Sequence, residues 1–161
     1  MIDVRRAGPE DAEELMRLRV VMLAGMPGAS PPPAGPWLEA GADLLRRQLT
    51  DPAEQVAAFV VPRPGAPEKL AACVVGAIDE RLPSPFYLNP MRGYVYNVAT
   101  VPEYRRRGYS RACMEALLTW YAARGVGLVD LRASPDGEPL YTSLGFKRTN
   151  DPAMRLLTGG R

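Results

Sequence analysis

The residues best suited to chemistry lie in one stretch, Asn97 to Arg111. A β-rich run from Tyr94 to Val101 stops at Pro102, passes Arg105, Arg106, Arg107 and Gly108, and opens a long helix-patterned segment through Tyr109 and Ser110. A strand, a basic glycine turn and a helix start together make a phosphate cradle. The first N–H groups of a helix have no acceptor within it and carry about half a positive charge. Arginines crowd the same point, although Lys69 and Lys147 are the chain's two lysines, so any single arginine is a weak signal. No lysine followed by Ser or Thr comes after the glycine, and no Gly-x-Gly-x-x-Gly occurs. Nucleoside triphosphate and dinucleotide cradles therefore drop out.

What is missing narrows the chemistry further. Histidine is absent, which removes the usual general base, the usual zinc ligand and any Ser–His or Cys–His pair. Cys73 and Cys113 lack metal-ligand spacing and read as reduced core residues, so no metal is expected. A net charge of +2 gives little global attraction to nucleic acid, and the aromatics interleaved with the arginines stop at Tyr104 and Tyr109. No apolar run approaches the ~20 residues of a membrane span, and no signal-peptide pattern opens the chain. These features predict a cytoplasmic protein of one domain over residues 1–161, monomer or homodimer, with no nucleic-acid or membrane partner.

The elements that must position this stretch follow from periodicity. Ile2 to Arg6 alternates as a strand, and Gly8–Pro9–Glu10–Asp11 starts a helix that runs to about Ala24. Gly25 to Pro36, rich in Pro and Gly, is a stiff loop, and Trp37 to Leu49 resumes helical spacing. Gln55 to Val61 and Lys69 to Ile78 predict a hairpin with a proline-rich tip. Asp79 to Met91 reads as irregular, with Phe86, Tyr87 and Leu88 packing on the body. A helix over about Arg107 to Arg124 carries a core stripe of Ala112, Cys113, Ala116, Leu117, Trp120 and Tyr121. Leu128 to Ala133 is a strand, Leu140 to Leu144 a short helix capped by Gly145, and Phe146 to Arg148 with Ala153 to Leu157 further strand pieces.

The order β-α-α-β-β-β-α-β-α-β, with a basic glycine turn after the fourth main strand, resembles the GCN5-related N-acetyltransferase (GNAT) superfamily. Two stretches carry the likeness. Val101 to Arg111 looks like the family's acyl-CoA diphosphate loop, Arg/Gln-x-x-Gly-x-Gly/Ala. Leu140–Tyr141–Thr142–Ser143–Leu144–Gly145–Phe146 looks like its Leu-Tyr-x-x-Leu-Gly-Phe segment. Met1 to Met91 matches in pattern alone. Ser110 stands where the family has Gly or Ala, and Pro135 or Asp136 occupies the neighbourhood of an asparagine that in the family touches the pantetheine arm.

The resemblance implies an α/β (α+β) fold, a mixed and mostly antiparallel central sheet flanked by helices, and an acetyl-CoA-dependent N-acetyltransferase acting on a primary amine by direct transfer. A non-catalytic acyl-CoA-binding module on the same fold is the alternative. It implies main-chain contacts from Val98, Ala99 and Thr100 to the thioester arm, and diphosphate binding by Arg105, Arg106, Arg107, Gly108, Tyr109 and Ser110. Tyr141 matches the tyrosine that protonates the departing thiolate; a phenol of pKa about 10 suits a thiol near ~8.5. Asp130 stands where ribosomal-protein alanine acetyltransferases have a glutamate base, although an ion pair with Arg132 or Arg148 is its plainer role. Glu80 and Asp79 are alternatives, and Glu103 reads as a loop cap. Neutralising a lysine-like amine at pH 7 costs about 4–5 kcal/mol, an α-amine about 1–1.5 kcal/mol, so a site short of bases leans to the latter. The acceptor is expected between the proline loop and the hairpin, flanked by Trp37, Phe86 and Tyr96.

Overall fold

Proline opens four helical segments. Pro9 and Pro102 start 3-10 turns, and Pro36 and Pro139 sit in the first turns of α2 (Pro36–Thr50) and α4 (Glu138–Ser143). At those positions the missing N–H would have had no helical partner, and the fixed φ already suits a helix. The computed structural model describes residues 1–160 and adds α1 (Ala12–Ala24) and α3 (Tyr109–Ala123). Its strands are β1 (Arg5–Arg6), β2 (Val56–Arg63), β3 (Ala66–Glu80), β4 (Met91–Thr100) and β5 (Val129–Leu131). They form one sheet in the order β1-β2-β3-β4-β5. Every pairing is antiparallel except β4 with β5, which are joined through α3 and run parallel, as a crossover connection permits.

The two faces of the sheet are covered by different helices. Leu15, Leu18, Ala42 and Leu45 of α1 and α2 pack with Val56, Ala58, Val60 and Val75 on one side. Cys113, Met114, Leu117 and Tyr121 of α3, with Tyr141 of α4, pack with Ala57, Val61, Val74 and Val95 on the other. β2 and the middle of β3 are therefore apolar on both faces, which explains their unbroken β-branched and alanine runs.

Tyr121 fixes α3 against the centre of the sheet. Its ring is 1% exposed and lies over Gly76 and Gly93. Its hydroxyl donates toward the carbonyls of Ala77 and Tyr94, both at 3.0 Å. A Cβ at Gly76 would stand 2.4 Å from that oxygen, and one at Gly93 2.8 Å from the ring. Both glycines are there so that an aromatic ring can touch backbone. α1 is tied down by ions instead. The Asp11 carboxylate accepts from Arg5 at 2.8 and 2.9 Å and from the Gly8 N–H. Glu14 accepts from the Leu70 N–H at 2.8 Å while its partner Arg17 donates to the Leu70 carbonyl at 2.8 Å.

Three expectations need correction. The first strand shrinks to Arg5–Arg6, because Ile2 and Val4 pack on the α3 side without pairing to β2. Tyr87 does dock, its hydroxyl accepting from the Gly127 N–H at 2.8 Å and its ring lying 4.2 Å from the Arg92 guanidinium. The tight Ser84–Tyr87 turn that brings it in throws its neighbours outward, leaving Phe86 97% and Leu88 76% exposed. Neither Phe146 to Arg148 nor Ala153 to Leu157 forms a strand. The three-residue β5 offers little edge to pair with, and Pro152 lacks an N–H. Among the described residues no helix is long and apolar enough to cross a membrane, and no His/Cys/Asp/Glu cluster could hold a metal.

Gly76→Ala should lower stability by about 1–3 kcal/mol through overpacking against Tyr121 and Leu117, visible as a fall in Tm, whereas Gly65→Ala at the open hairpin turn should not create that clash. The acid limb of stability is set by Asp11 and Glu14. Burial works against their ionised forms, but the bonds from Arg5 and Gly8, and from Arg17 and Leu70, prevail and hold both carboxyls below their ordinary values. Their contribution is complete above the unfolded carboxylate range and is lost as pH falls through the folded values. Urea titrations from pH 6 to pH 3 should show that decline, and Asp11→Asn should flatten it.

Candidate active site

The basic turn is built from backbone more than from side chains. After the 3-10 turn Pro102–Tyr104, Arg106 and Gly108 both take left-handed φ values of 61° and 81°, and Gly108 caps α3. Alternating handedness turns successive N–H groups toward one concavity, the geometry of an anion nest. The N–H groups of Arg106 through Arg111 donate to no protein acceptor among the described residues, and the first such bond of α3 is Ala112 N–H to the Gly108 carbonyl at 3.0 Å. Six consecutive donors stand free at a helix start.

The side chains shape this cradle. Arg105 Nε donates to the Thr100 carbonyl at 3.1 Å. Tyr104 stacks on Tyr109 with centroids 5.8 Å apart, and the Arg107 and Arg63 guanidinium groups lie 5.2 and 5.8 Å from the Tyr104 ring. Ser110 does not stand free: its Oγ is 2.6 Å from Thr100 Oγ1, lacing the start of α3 to the end of β4.

Upstream of the cradle, β4 breaks away from β5. The parallel pairing ends at Val95–Leu131, whereas β4 continues to Thr100. On the β3 side, Cys73 pairs with Ala99 and Val75 with Tyr96, so Val74 faces both Asn97 and Val98. This is a β-bulge, and Asn97 carries it at φ 56°. The bulge leaves Val98 to Thr100 as a strand with an uncovered edge, leading directly into the nest.

Tyr141 on α4 and Asp130 on β5 flank this notch. The Tyr141 ring is buried in the cluster that contains Val98, Tyr109 and Leu131, and meets Phe146 edge-on at 6.1 Å. Among the described residues no group bonds its hydroxyl, which keeps contact with solvent. Burial raises its phenol above the ordinary value, so it is a loaded proton donor at neutral pH. Asp130 is paired in register with Tyr94, placing it on the α1/α2 face, the opposite face from Val129 and Leu131. Among the described residues Asp130 has no ion pair; Arg148 binds Glu138 instead, at 3.0 Å between Nη2 and Oε2. Asp79 is engaged by Arg81 at 3.1 Å, and Glu80 is exposed beside it. Trp37, which donates to the Pro33 carbonyl, and Tyr96 both pack against the core on the α1/α2 side, whereas Phe86 is fully out in solvent, so of the three expected acceptor-flanking aromatics Phe86 is the one displaced. A cleft of about 710 Å³ follows the outer edge of β5, lined by Asp130, Tyr141, Leu144 and Phe146.

A family model described as acetyltransferase (GNAT) family matches residues 24–146. The chain belongs to the GNAT acetyltransferase family. It is accordingly an acyltransferase with the acyl-CoA N-acyltransferase fold. A predicted acetyltransferase with acetyl-CoA from Clostridium acetobutylicum superposes with a TM-score of 0.82 at 19% identity, over 97% of this chain and 96% of that one. A GCN5-related N-acetyltransferase from Ralstonia eutropha gives 0.76 at 26% identity, over 97% and 99%. Glucosamine-6-phosphate N-acetyltransferase from Arabidopsis thaliana gives 0.74 at 13%, over 97% and 98%. No curated protein matches the chain.

Within this GNAT chain, Val98, Ala99, Thr100 and the turn from Arg105 to Ser110 are brought into one continuous surface, with Tyr141 in the same apolar cluster as Val98 and Tyr109. Two residues of the notch were not singled out by sequence reasoning. Asn97 had a readable signal, an asparagine inside a β-rich run, since Asn tolerates the left-handed region better than most residues. Arg19, which donates to Asn97 Oδ1 at 3.3 Å from α1, had none. Gly108→Ala should cost about 1–2 kcal/mol, because φ 81° is strained for any L side chain although nothing crowds the added Cβ closer than 3.5 Å. Gly108→Asn should cost less in the same thermal melt.

Proposed function

We propose that this protein catalyses acetyl-CoA-dependent N-acetylation of a primary amine by direct transfer within a ternary complex. The observation that carries the reading is the run of six unpartnered N–H groups at the start of α3, continuous with the uncovered edge of β4. Together they match a diphosphate attached to an extended, amide-bearing arm, which is the shape of coenzyme A. A bare phosphate would have no use for the strand edge.

Each residue group does separate work in this reading. The nest from Arg106 to Ser110 holds the diphosphate, and Arg105, Arg107 and Arg111 supply positive potential around it. Val98 to Thr100 align the arm through main-chain groups, so that the acyl carbonyl lies near the bulge, where backbone donors polarise it. Acetyl-CoA brings a thioester whose thiolate is a good leaving group. Alignment of donor and amine accounts for as much as ~7–11 kcal/mol of barrier lowering without any acid or base. Tyr141 supplies the proton for the departing sulfur. Asp130, on the α1/α2 face and free of cations, takes the proton from the amine directly or through water. Cys73 and Cys113 are buried and burial pushes both thiols up, Cys113 to about 12, so neither serves as an acyl carrier.

A thiol-release assay across α-amines, lysine peptides, amino sugars and polyamines tests the reading. Acceleration of release by at least one amine supports it, and hydrolysis that no amine accelerates overturns it. Tyr141→Phe should lower kcat by about 10²-fold or more with acetyl-CoA binding retained. Its raised phenol also fixes the pH profile: the donor stays protonated through pH 9, so kcat/KM should rise with pH across 6 to 9 as the amine loses its proton. A fall over that range would remove Tyr141 from the mechanism.

A further inference from the structure

Among the half-buried arginines, one is not used up by the protein. Arg5, Arg17, Arg46 and Arg111 each bind a carboxylate. Arg63, Arg92 and Arg124 each lie over an aromatic ring and donate to a backbone carbonyl. Arg19 has neither. Its single bond is the 3.3 Å contact from Nη1 to Asn97 Oδ1, and no acid pairs with it among the described residues. A guanidinium carries five N–H donors in a planar fork matched to carboxylate and phosphate. The rest of the Arg19 fork is open to solvent at the mouth of the notch, where an anionic group could take the place of water.

The position of Arg19 says when that anion arrives. Asn97 is the bulge residue itself, next in sequence to Val98, where the acyl arm is read to lie. Arg19 reaches it from α1, the face that also presents Tyr96 and, one strand over, Asp130. Its charge is felt at the Tyr96 hydroxyl, where it partly offsets the effect of burial. The donor's diphosphate is accounted for by the nest beyond Thr100, so Arg19 faces the acceptor side of the notch.

We infer that Arg19 is an anion-recognising residue of the acceptor site, and that the amine acetylated by this protein carries a carboxylate or phosphate within a few bonds of its nitrogen. Arg19 grips the anion and Asp130 faces the ammonium, an arrangement complementary to a small zwitterion and repulsive to a polycation. The inference rests on the N-acetyltransferase reading of the notch.

The experiment uses matched amines: glycine against glycinamide for a carboxylate, and glucosamine 6-phosphate against glucosamine for a phosphate. Each is assayed for thiol release with wild type, Arg19→Gln and Arg19→Lys, beside acetyl-CoA binding to all three proteins. In wild type at least one anionic member should exceed its neutral partner in kcat/KM. Arg19→Gln should cut that anionic-to-neutral ratio by tenfold or more, mainly through KM, and Arg19→Lys should restore part of it. Comparing the ratio between proteins cancels differences in amine basicity, and the pair that responds tells carboxylate from phosphate. Equal loss for both members would make Arg19 a brace for the bulge and overturn the inference, as would a wild-type preference for neutral amines. Acetyl-CoA binding without acetylation of any anionic amine would overturn it while leaving the donor site standing. Failure to bind acetyl-CoA would remove both.

Discussion

β4 has to satisfy two opposed demands. As a central strand it must give its hydrogen bonds to β3 on one side and β5 on the other, yet the end of it must stay open. The bulge at Asn97 reconciles them. It adds one residue opposite Val74 just beyond Val95, the last residue of β4 paired with β5, and the open edge begins there. A residue at φ 56° inside a sheet is costly for most side chains and cheaper for asparagine. Its buried amide is satisfied in part by Arg19, and more weakly by Cys73 Sγ at 3.9 Å.

The loop that follows separates binding from shaping. Donors are contributed by main chain, whereas the arginines are drawn aside, Arg105 to a carbonyl and Arg107 to a tyrosine ring. Charge is thereby kept close to the nest without filling it. On the proposed reading, backbone alignment and local potential carry much of the work, which suits a chain without histidine.

Much of this was legible because it is written in residue types that have few alternative uses. Gly108 before a helix, Pro102 after a strand, and the Tyr141 segment ending in Gly145 each allow few local structures. The α3 stripe likewise announced a buried face, and Cys113, Leu117 and Tyr121 are buried as it required. What could not be read depended on partners distant in sequence. Nothing in Phe86, Tyr87 and Leu88 says which ring turns inward, since that is settled by Gly127 and Arg92. The apolar letters of Ala153 to Leu157 suggest a strand, but strands exist by pairing and β5 is too short to supply it. Arg19 is one arginine among many until α1 is laid beside β4.

The two buried thiols have a practical side. Reagents that count free sulfhydryls react with thiolates, and burial keeps both cysteines of this chain protonated and out of reach. The folded molecule is therefore silent to the chemistry used to follow coenzyme release. The signal rises from the protein itself when molecules unfold, so one colour reports turnover in an intact preparation and decay in an aged one.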